Sequence, residues 1–197
     1  MPTLATIKEL QNRIVLYEDM NSYKQLYNLL FDGLHRFSYS LVKSKEVAEE
    51  IVSDVFIKVW QIRNRLNDVD NLKVYLYTVA KNFSLNYITK ISKNPVISLD
   101  AIDVELFAEI STPQELCISS ETVYKIRQVI QSLPPQCRLI FQLVKEDGLK
   151  YKEVAVILNI SVLTVRNQVA IATKKIAGAL PAYLQSFIYP SNAFSAS

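Results

Sequence analysis

Apolar residues in the first third of the chain recur at the spacing of a helix. Between residues 47 and 60 they form pairs repeated every four positions, namely Val47, Ala48, Ile51, Val52, Val55, Phe56, Val59 and Trp60. This spacing produces a wide apolar stripe along one side of a helix, whereas a half-buried strand would alternate. The stretches 23–42 and 72–83 show similar stripes. We therefore predict three helices that bury one another's apolar sides and form a first domain over residues 1–92.

The helical periodicity is lost between residues 93 and 113. Pro95 and Pro113 lie near the two ends of this stretch, and acidic and apolar residues alternate irregularly between them. Such a sequence is typical of a flexible linker, because proline disfavours helix in the residue before it. We predict a linker over 93–113.

A second set of helical patterns begins near Gln114. The first ends at the sequence LPPQ, where Pro134 or Pro135 suits the first turn of the next helix. That helix is expected to end near Gly148, and shorter helices follow at about 150–158 and 162–176. We predict an all-α fold with two small helical domains joined by the linker, the second domain over 114–178 and an aromatic tail over 179–197.

The sequence LNISVLTVRNQ, residues 158–168, predicts a sharp corner between the last two helices. Asn159 tolerates the left-handed backbone conformation better than other residues with a side chain. Ser161 can accept a hydrogen bond from an early N–H group and so cap the following helix. At helical spacing, Val162, Val165, Val169, Ala172 and Ile176 form the buried side. The pattern is that of a helix–turn–helix.

The other side of that last helix presents amides, hydroxyls and cations. Such groups can bind base edges and phosphates in duplex DNA. The candidate DNA-binding residues are Ser161, Leu163, Thr164, Arg166, Asn167, Gln168, Ile171, Lys174 and Lys175. The alternative is an ordinary packing corner with a solvated polar surface.

Charge and composition narrow the choice of function. The net charge is only +3, but residues 117–197 hold nine basic and four acidic side chains, which favours nucleic-acid binding there. Cys117 and Cys137 form no CxxC pair, and His35 is the only histidine in the sequence. We therefore expect no zinc site, no cofactor and no enzymatic activity. Early charges and interrupted apolar runs predict no signal peptide and no membrane insertion, hence a cytoplasmic protein.

Two parts of the chain resemble the sigma-70 family of RNA polymerase initiation factors, in its short extracytoplasmic-function form. AEEIVSDVFIKVWQ (48–61) is similar to the polymerase-binding helix of family region 2, and NLKVYLYTVAKN (71–82) to its promoter-melting helix. LPPQCRLIF, followed by GLKYKEVAVILNISVLTVRNQV, is similar to family region 4. Both motifs occur in the family's order and cover most of the chain.

The resemblance implies a polymerase-binding surface and two promoter-binding surfaces. The face expected to dock on core RNA polymerase comprises Glu50, Ser53, Asp54, Ile57 and Lys58, with a solvated helix face as the alternative. The single-stranded downstream (−10) element is expected to contact Arg65, Asn67, Tyr77, Thr78, Lys81 and Asn82, where the loop 63–71 holds a flipped base. Tyr77 has the alternative of covering the core. The helix 162–176 is expected to bind the upstream (−35) element.

These expectations favour a promoter-specificity factor that is regulated by a probable anti-sigma factor. The rival hypothesis is a helix–turn–helix transcriptional regulator that binds operator DNA without polymerase. The two region 2 motifs disfavour that rival, because a plain regulator needs neither of them.

Overall fold

The computed structural model describes residues 4–92 and 120–180, and the elements in these two ranges are helical. They are α1 (Leu4–Tyr17), α2 (Met20–Val42), α3 (Lys45–Gln61), a 3-10 segment (Arg63–Asp68), α4 (Leu72–Ile91), α5 (Ser120–Gln131), α6 (Pro135–Lys145), α7 (Tyr151–Leu158) and α8 (Val162–Ala179). The all-α prediction is confirmed. The predicted linker, 93–113, and residues 181–197 of the predicted tail lie outside the described residues.

Polar side chains begin each of the three longer helices of the first unit, α1–α4. Asp19 accepts a hydrogen bond from the N–H of Asn21 at the start of α2. Ser44 caps α3 through the N–H of Val47, and Asn71 caps α4 through the N–H of Val74. Each cap satisfies an N–H that lacks a partner within its own helix. The connections can therefore be short.

The apolar stripes predicted from the sequence form the core of the first unit. Leu26, Leu34 and Phe37 of α2 are fully buried, as are Val52 of α3 and Leu76 of α4. Each fully buried side chain of this size stabilises the fold by about 1.5–3 kcal/mol relative to an exposed one. The three predicted helices are confirmed, and their apolar stripes face the core.

Helix α1 adds a fourth helix that the sequence analysis did not predict. Ile7, Leu10 and Ile14 lie on one side of it and are buried in the same core. The spacing of these three residues is helical, so the signal was present in the sequence.

The second unit, α5–α8, begins and turns as its prolines and glycine predict. Pro135 occupies the first position of α6, where its missing N–H costs little. Gly148 has a φ of 66°, and the N–H of Leu149 donates to the Leu143 carbonyl at 3.0 Å, which closes the end of α6. Leu180, placed in the predicted tail, is buried beside α8.

The two units share one hydrophobic cluster. Leu139, Ile140 and Leu143 of α6 belong to the same buried set as Leu30 and Leu76 of the first unit. A smaller cluster, built around Ile130, Cys137 and Ile176, lies within the second unit. Since α4 packs on α7 and α2 on α6, the second unit covers part of the first.

Candidate nucleic-acid and partner-binding surfaces

Helices α7 and α8 form the predicted corner. Asn159 has φ 57° and ψ 49°, the left-handed conformation expected for it. The N–H of Ile160 donates to the Ala155 carbonyl at 3.0 Å across the turn. The axes of the two helices differ by 112°, which lies in the range of a helix–turn–helix. The predicted helix–turn–helix geometry is confirmed.

Ser161 begins α8 as predicted. Its hydroxyl oxygen accepts the N–H of Thr164 at 2.9 Å and lies 2.8 Å from the Thr164 hydroxyl oxygen. The cap fixes the first turn of α8, which is the turn that a helix–turn–helix directs at base edges.

The two sides of α8 divide as the helical spacing predicts, with one exception. Val165, Val169, Ala172 and Ile176 are buried, whereas Val162 is 37% exposed and does not belong to the buried side. On the outer side Leu163 is 63% exposed. The exposed candidates are Ser161, Leu163, Arg166, Asn167, Ile171, Lys174 and Lys175, and the half-buried ones are Thr164 and Gln168.

Charge on this outer side is positive. Arg166, Lys174 and Lys175 project from α8, and the helix contains no acidic residue. Lys150 and Lys152 are exposed at the start of α7. Such a distribution attracts phosphates, while the amides between the cations can bind base edges.

The 3-10 segment after α3 is anchored to the core on its inner side and presents polar side chains on its outer side. Leu66 is fully buried, and the amide nitrogen of Gln11 on α1 donates to the Leu66 carbonyl and, at 2.9 Å, to the Val69 carbonyl. Arg65 and Asn67, two predicted single-strand contacts, are exposed. The segment is therefore a fixed loop that presents both side chains to solvent.

Tyr77 does not lie where the single-strand prediction requires. Only 1% of it is exposed, its ring packs against Phe37 with 5.3 Å between centroids, and burial raises the pKa of its hydroxyl well above the usual value. The expectation of an exposed Tyr77 is wrong, and the alternative that it covers the core is confirmed. The physical reason is that the second unit packs over this part of α4.

The other predicted contacts on α4 remain partly or fully accessible. Thr78 is half-buried, and its hydroxyl donates to the Val74 carbonyl at 2.8 Å. Lys81 is half-buried, and burial lowers the pKa of its ammonium group. Asn82 is exposed.

The predicted polymerase-binding residues of α3 share one exposed face. Glu50, Ser53, Asp54, Ile57 and Lys58 all reach solvent, and Ile57 is 53% exposed. A shallow groove on this face is lined by Glu46, Glu49, Glu50, Ser53 and Asp54. The face combines negative charge with an apolar side chain, which is the composition of a protein-binding surface more than of a DNA-binding one.

A group of charged residues joins the two units. Asp147, after α6, has a side chain only 1% exposed, and its Oδ1 accepts a hydrogen bond from an Arg36 guanidinium nitrogen of α2 at 2.9 Å. The Lys73 ammonium of α4 donates to the Asp147 backbone carbonyl. The side-chain amide of Asn71 donates to Glu153 Oε1 of α7 at 2.8 Å. We call Arg36, Lys73, Asp147 and Glu146 the junction cluster.

Burial shifts the ionisation of the junction cluster. It raises the pKa of Asp147, and the Arg36 guanidinium opposes part of that rise. Burial, and then the neighbouring charge of Asp147, raises the pKa of Glu146 to about 7. Burial lowers the pKa of Lys73. Burial of these carboxylates costs free energy of desolvation, and the attraction to neighbouring cations offsets only part of that cost.

Sequence reasoning missed the junction cluster and the loop anchor Gln11. The residues of each group are far apart in sequence, and charged side chains are usually solvated. The sequence KEDG at 145–148 predicts only a helix end. No sequence signal shows that its carboxylates lie against another helix.

In the described ranges, no group of three or more histidine, cysteine, aspartate or glutamate side chains is placed to hold a metal ion. In the same ranges no single helix is long and apolar enough to cross a membrane. Helices α7 and α8 reach that length and composition only when they are counted together, and they are bent by 112°.

Two family models match the chain, and together they cover more than half of it. The model described as Sigma-70 region 2 matches residues 26–94, and the one described as Sigma-70, region 4 matches residues 124–176. The chain therefore belongs to the sigma-70 family of RNA polymerase initiation factors. One of its relatives is named as an extracytoplasmic-function (ECF) factor.

The ECF RNA polymerase sigma-E factor of Escherichia coli strain K12 is 32% identical over 127 residues, which cover 61% of this chain and 66% of that protein. The match thus spans just under two thirds of the relative's length. The RNA polymerase sigma-H factor of Pseudomonas aeruginosa strain PAO1 is 26% identical over 151 residues, which cover 73% of this chain and 78% of that protein.

Two solved structures share the fold. The sigma factor RpoE of Bartonella quintana, in complex with the anti-sigma factor NepR, has a TM-score of 0.55 and 20% identity, and the match covers 81% of this chain and 97% of that one. CnrH, in complex with the cytosolic domain of CnrY, has a TM-score of 0.54 and 16% identity, with 88% and 96% covered.

Proposed function

We propose that this chain is an extracytoplasmic-function sigma factor that binds core RNA polymerase and directs transcription initiation from promoters with −35 and −10 elements. The observation that supports this most is the presence of two surfaces of opposite character in one chain. An acidic face with an exposed isoleucine lies on α3 in the region 2 match, and a basic, amide-bearing face lies on α8 in the region 4 match. The protein acts in the cytoplasm as a binding subunit, without catalysis or a cofactor of its own.

The outer side of α8 binds the −35 element as duplex DNA. Thr164 and Asn167 provide hydrogen-bonding groups for base edges, and Leu163 can contact a thymine methyl group. Arg166, Lys174 and Lys175 bind phosphates and so position the helix in the groove. Ser161 orients its first turn, while Gln168 and Ile171 extend the contact surface.

The −10 element binds to the first unit as a single strand. The loop with Arg65 and Asn67 is already ordered by Gln11 and Leu66, so little conformational entropy is lost when it receives a flipped base. Lys81 pairs with phosphate, and Thr78 and Asn82 offer polar contacts beside it. The ring of Tyr77 packs against Phe37 in the core and does not stack on bases, so only its hydroxyl group is available to the strand.

The α3 face binds core polymerase. Its carboxylates steer the encounter with a basic partner surface, and Ile57 provides apolar area at the contact. Phe56 and Trp60 match family positions too, but Phe56 is 2% exposed and acts by packing beneath the face.

An anti-sigma factor is the partner we propose for the protein when polymerase is not bound. One of the solved structures named above is a sigma factor in complex with an anti-sigma factor, and the other, CnrH, is in complex with the cytosolic domain of CnrY. The exposed apolar side chains Val156, Leu163 and Ile171 offer such a partner a surface in the second unit.

The test is transcription with purified core polymerase on a library of genomic fragments, with the 5′ ends of the transcripts sequenced. We expect direct binding to core and new transcripts whose starts share two upstream elements. Absence of core binding together with absence of new transcripts would contradict the proposal. Sequence-specific DNA binding without any core binding would instead support the regulator that acts without polymerase.

A further inference from the structure

The first unit presents three hydrogen-bond donors that converge on one point. The Arg36 guanidinium comes from α2, and the Lys73 ammonium and the Tyr77 hydroxyl come from α4. In this structure all three donate hydrogen bonds to Asp147 of the second unit. Arg36 and Tyr77 donate to its carboxylate, and Lys73 donates to its backbone carbonyl. The donors therefore all belong to one unit and the acceptors to the other.

Space for this arrangement depends on Gly33. A Cβ atom at Gly33 would collide with the Tyr77 hydroxyl and lie 3.3 Å from Asp147 Oδ1. The same residues line a cavity of about 190 Å³, together with Glu146 and Asp32. The part of this lining that belongs to the first unit has two cations, a hydroxyl and one carboxylate, that of Asp32, so it keeps a net positive charge that suits an oxyanion.

Asp147 fills this recess incompletely. Its Oδ2 atom and the Arg36 Nε atom are buried with no hydrogen-bond partner among the described residues. Arg36 Nε lies 4.0 Å from Glu146 Oε2, an ion pair without a hydrogen bond. Buried polar atoms are nearly always hydrogen-bonded, so this contact is incompletely satisfied. A phosphate has more acceptor oxygens and can satisfy both the fork of the guanidinium and the neighbouring donors.

Size requires that the two units separate on a promoter, a step that rests on the proposed function. A compact body of about 150 residues has a radius of gyration of roughly 15 Å, hence a diameter of about 40 Å. The −35 and −10 elements lie ~25 base pairs apart, which is about 85 Å at ~3.4 Å per pair. The packed units cannot bind both elements at once.

We propose that Arg36, Lys73 and Tyr77 form a binding site for a backbone phosphate of the single strand, and that Asp147 occupies this site in the closed protein. The closed form is then autoinhibited, because the second unit covers a DNA-binding site of the first. When core polymerase separates the units, the carboxylate leaves and the phosphate takes its place. The site lies on α4, the helix that also bears Lys81 and Asn82.

The test uses the free full-length chain without polymerase, so its outcome is separate from that of the transcription experiment. The first readout is the radius of gyration from small-angle X-ray scattering. The second is fluorescence anisotropy with a labelled 12-nucleotide oligo-dT, since phosphate contacts need no particular sequence. Asp147→Lys is expected to expand the protein by several ångström and to tighten oligonucleotide binding about fivefold, because a cation at position 147 is repelled by Arg36 and Lys73 and leaves the site open. Glu9→Lys, at an exposed carboxylate on α1, makes the same change of charge and is the control, and it is expected to change neither readout.

Salt dependence separates a phosphate site from a purely structural contact. In the Asp147→Lys background, Arg36→Gln and Lys73→Gln are each expected to reduce the slope of log affinity against log salt by ~0.7, the value for one phosphate contact on a single strand. Both double variants remain open, so a change in slope cannot come from closure. Circular dichroism verifies that each variant keeps its helix content.

Three results would overturn the proposal. The first is that Asp147→Lys leaves both the radius of gyration and the oligonucleotide affinity unchanged. The second is expansion without tighter binding, or with salt slopes that Arg36→Gln and Lys73→Gln do not alter. The third comes from a parallel titration with inorganic phosphate: expansion by phosphate, with no competition from oligo-dT, would assign the site to a small free anion.

Discussion

Asn159 sets the angle between α7 and α8 because its backbone adopts φ 57°. Residues with a Cβ atom other than asparagine and aspartate adopt this conformation at a cost of roughly 1–2 kcal/mol. We expect Asn159→Ala to lower the free energy of unfolding by about 1 kcal/mol and Asn159→Gly to leave it nearly unchanged. Urea denaturation followed by circular dichroism measures both. Equal losses for alanine and glycine would mean that the asparagine side chain, and not the backbone conformation, determines the stability of the corner.

Two exposed residues of α8 separate base recognition from phosphate binding. Asn167→Ala removes an amide that can bind base edges, so we expect altered preference among −35 sequences. Lys174→Ala removes a phosphate contact, so we expect weaker binding to all sequences and a salt slope reduced by ~0.9 on duplex DNA. Binding to a randomised duplex library, followed by sequencing, measures both variants. Equal losses on matched and mismatched sequences for both would contradict this division.

Roles that depend on neighbours in the sequence could be predicted, whereas roles that depend on distant parts of the chain could not. Asn159 and Ser161 act on their own backbone neighbours, so their roles followed from residue type and position. Tyr77 and Asp147 depend on groups more than 60 residues away in the chain. An aromatic at the edge of an amphipathic helix can face solvent or another unit, and only the packing decides which.

At the scale of helices, the sequence predicts what local spacing determines. The stripes of α2, α3 and α4 and the corner before α8 were predicted because apolar side chains recur at helical intervals. Helix α1 shows the same spacing at Ile7, Leu10 and Ile14, so the same rule applies to it.

The fixed 3-10 loop could not be predicted in the same way. Its order depends on Gln11, which donates to backbone carbonyls 55 and 58 residues further along the chain. A glutamine within a polar sequence predicts a solvated side chain, and only the packing of α1 places it inside.

The acidic face of α3 gives a prediction about one element. Glu50→Lys combined with Asp54→Lys reverses two charges on an exposed surface, so the fold is expected to persist while core binding weakens at least tenfold. Surface plasmon resonance with immobilised core polymerase measures the affinity, and thermal denaturation measures the fold.

A matched variant lies on the same chain. Glu9→Lys combined with Asp70→Lys changes the same number of charges at exposed positions outside the groove, and it is expected to have a smaller effect on core binding. If the Glu50 and Asp54 variant bound core polymerase as tightly as the unaltered protein, the assignment of this face would be wrong.

At the scale of the whole molecule, the arrangement of the two units was beyond sequence reasoning. Each unit has an apolar stripe that its own helices satisfy, so the sequence predicts two separate domains. The structure adds a shared cluster, in which α6 and α7 cover α2 and α4. The buried charges at that contact destabilise the packed arrangement of the two units. A contact between domains that opens and closes reversibly has to be weak in this way.

Protonation is expected to favour the closed form. Burial raises the pKa of Glu146 from 4.5 to about 7 and also raises that of Asp147. A carboxyl group with a raised pKa penalises the closed state when it is ionised, so this penalty grows as the pH rises from about 4.5 through 7. We expect the radius of gyration of the free chain to increase between pH 5.5 and pH 8, as measured by small-angle X-ray scattering.

Glu146→Gln tests the origin of this pH dependence, because glutamine keeps the shape and cannot ionise. The titratable and charged groups that line the cavity with Glu146 are Asp32 and Arg36 of α2, Lys73 and Tyr77 of α4, and its neighbour Asp147, while Glu153 of α7 acts on Lys73. Of these, Asp147 also has a raised pKa, so some pH dependence is expected to persist in Glu146→Gln. Removing Glu146 is expected to flatten most of the change between pH 6 and pH 8, whereas Glu9→Gln is expected to retain it. An unaltered pH profile in Glu146→Gln would show that another group controls closure, since only the removal of the titrating carboxyl can abolish the proton uptake that accompanies it.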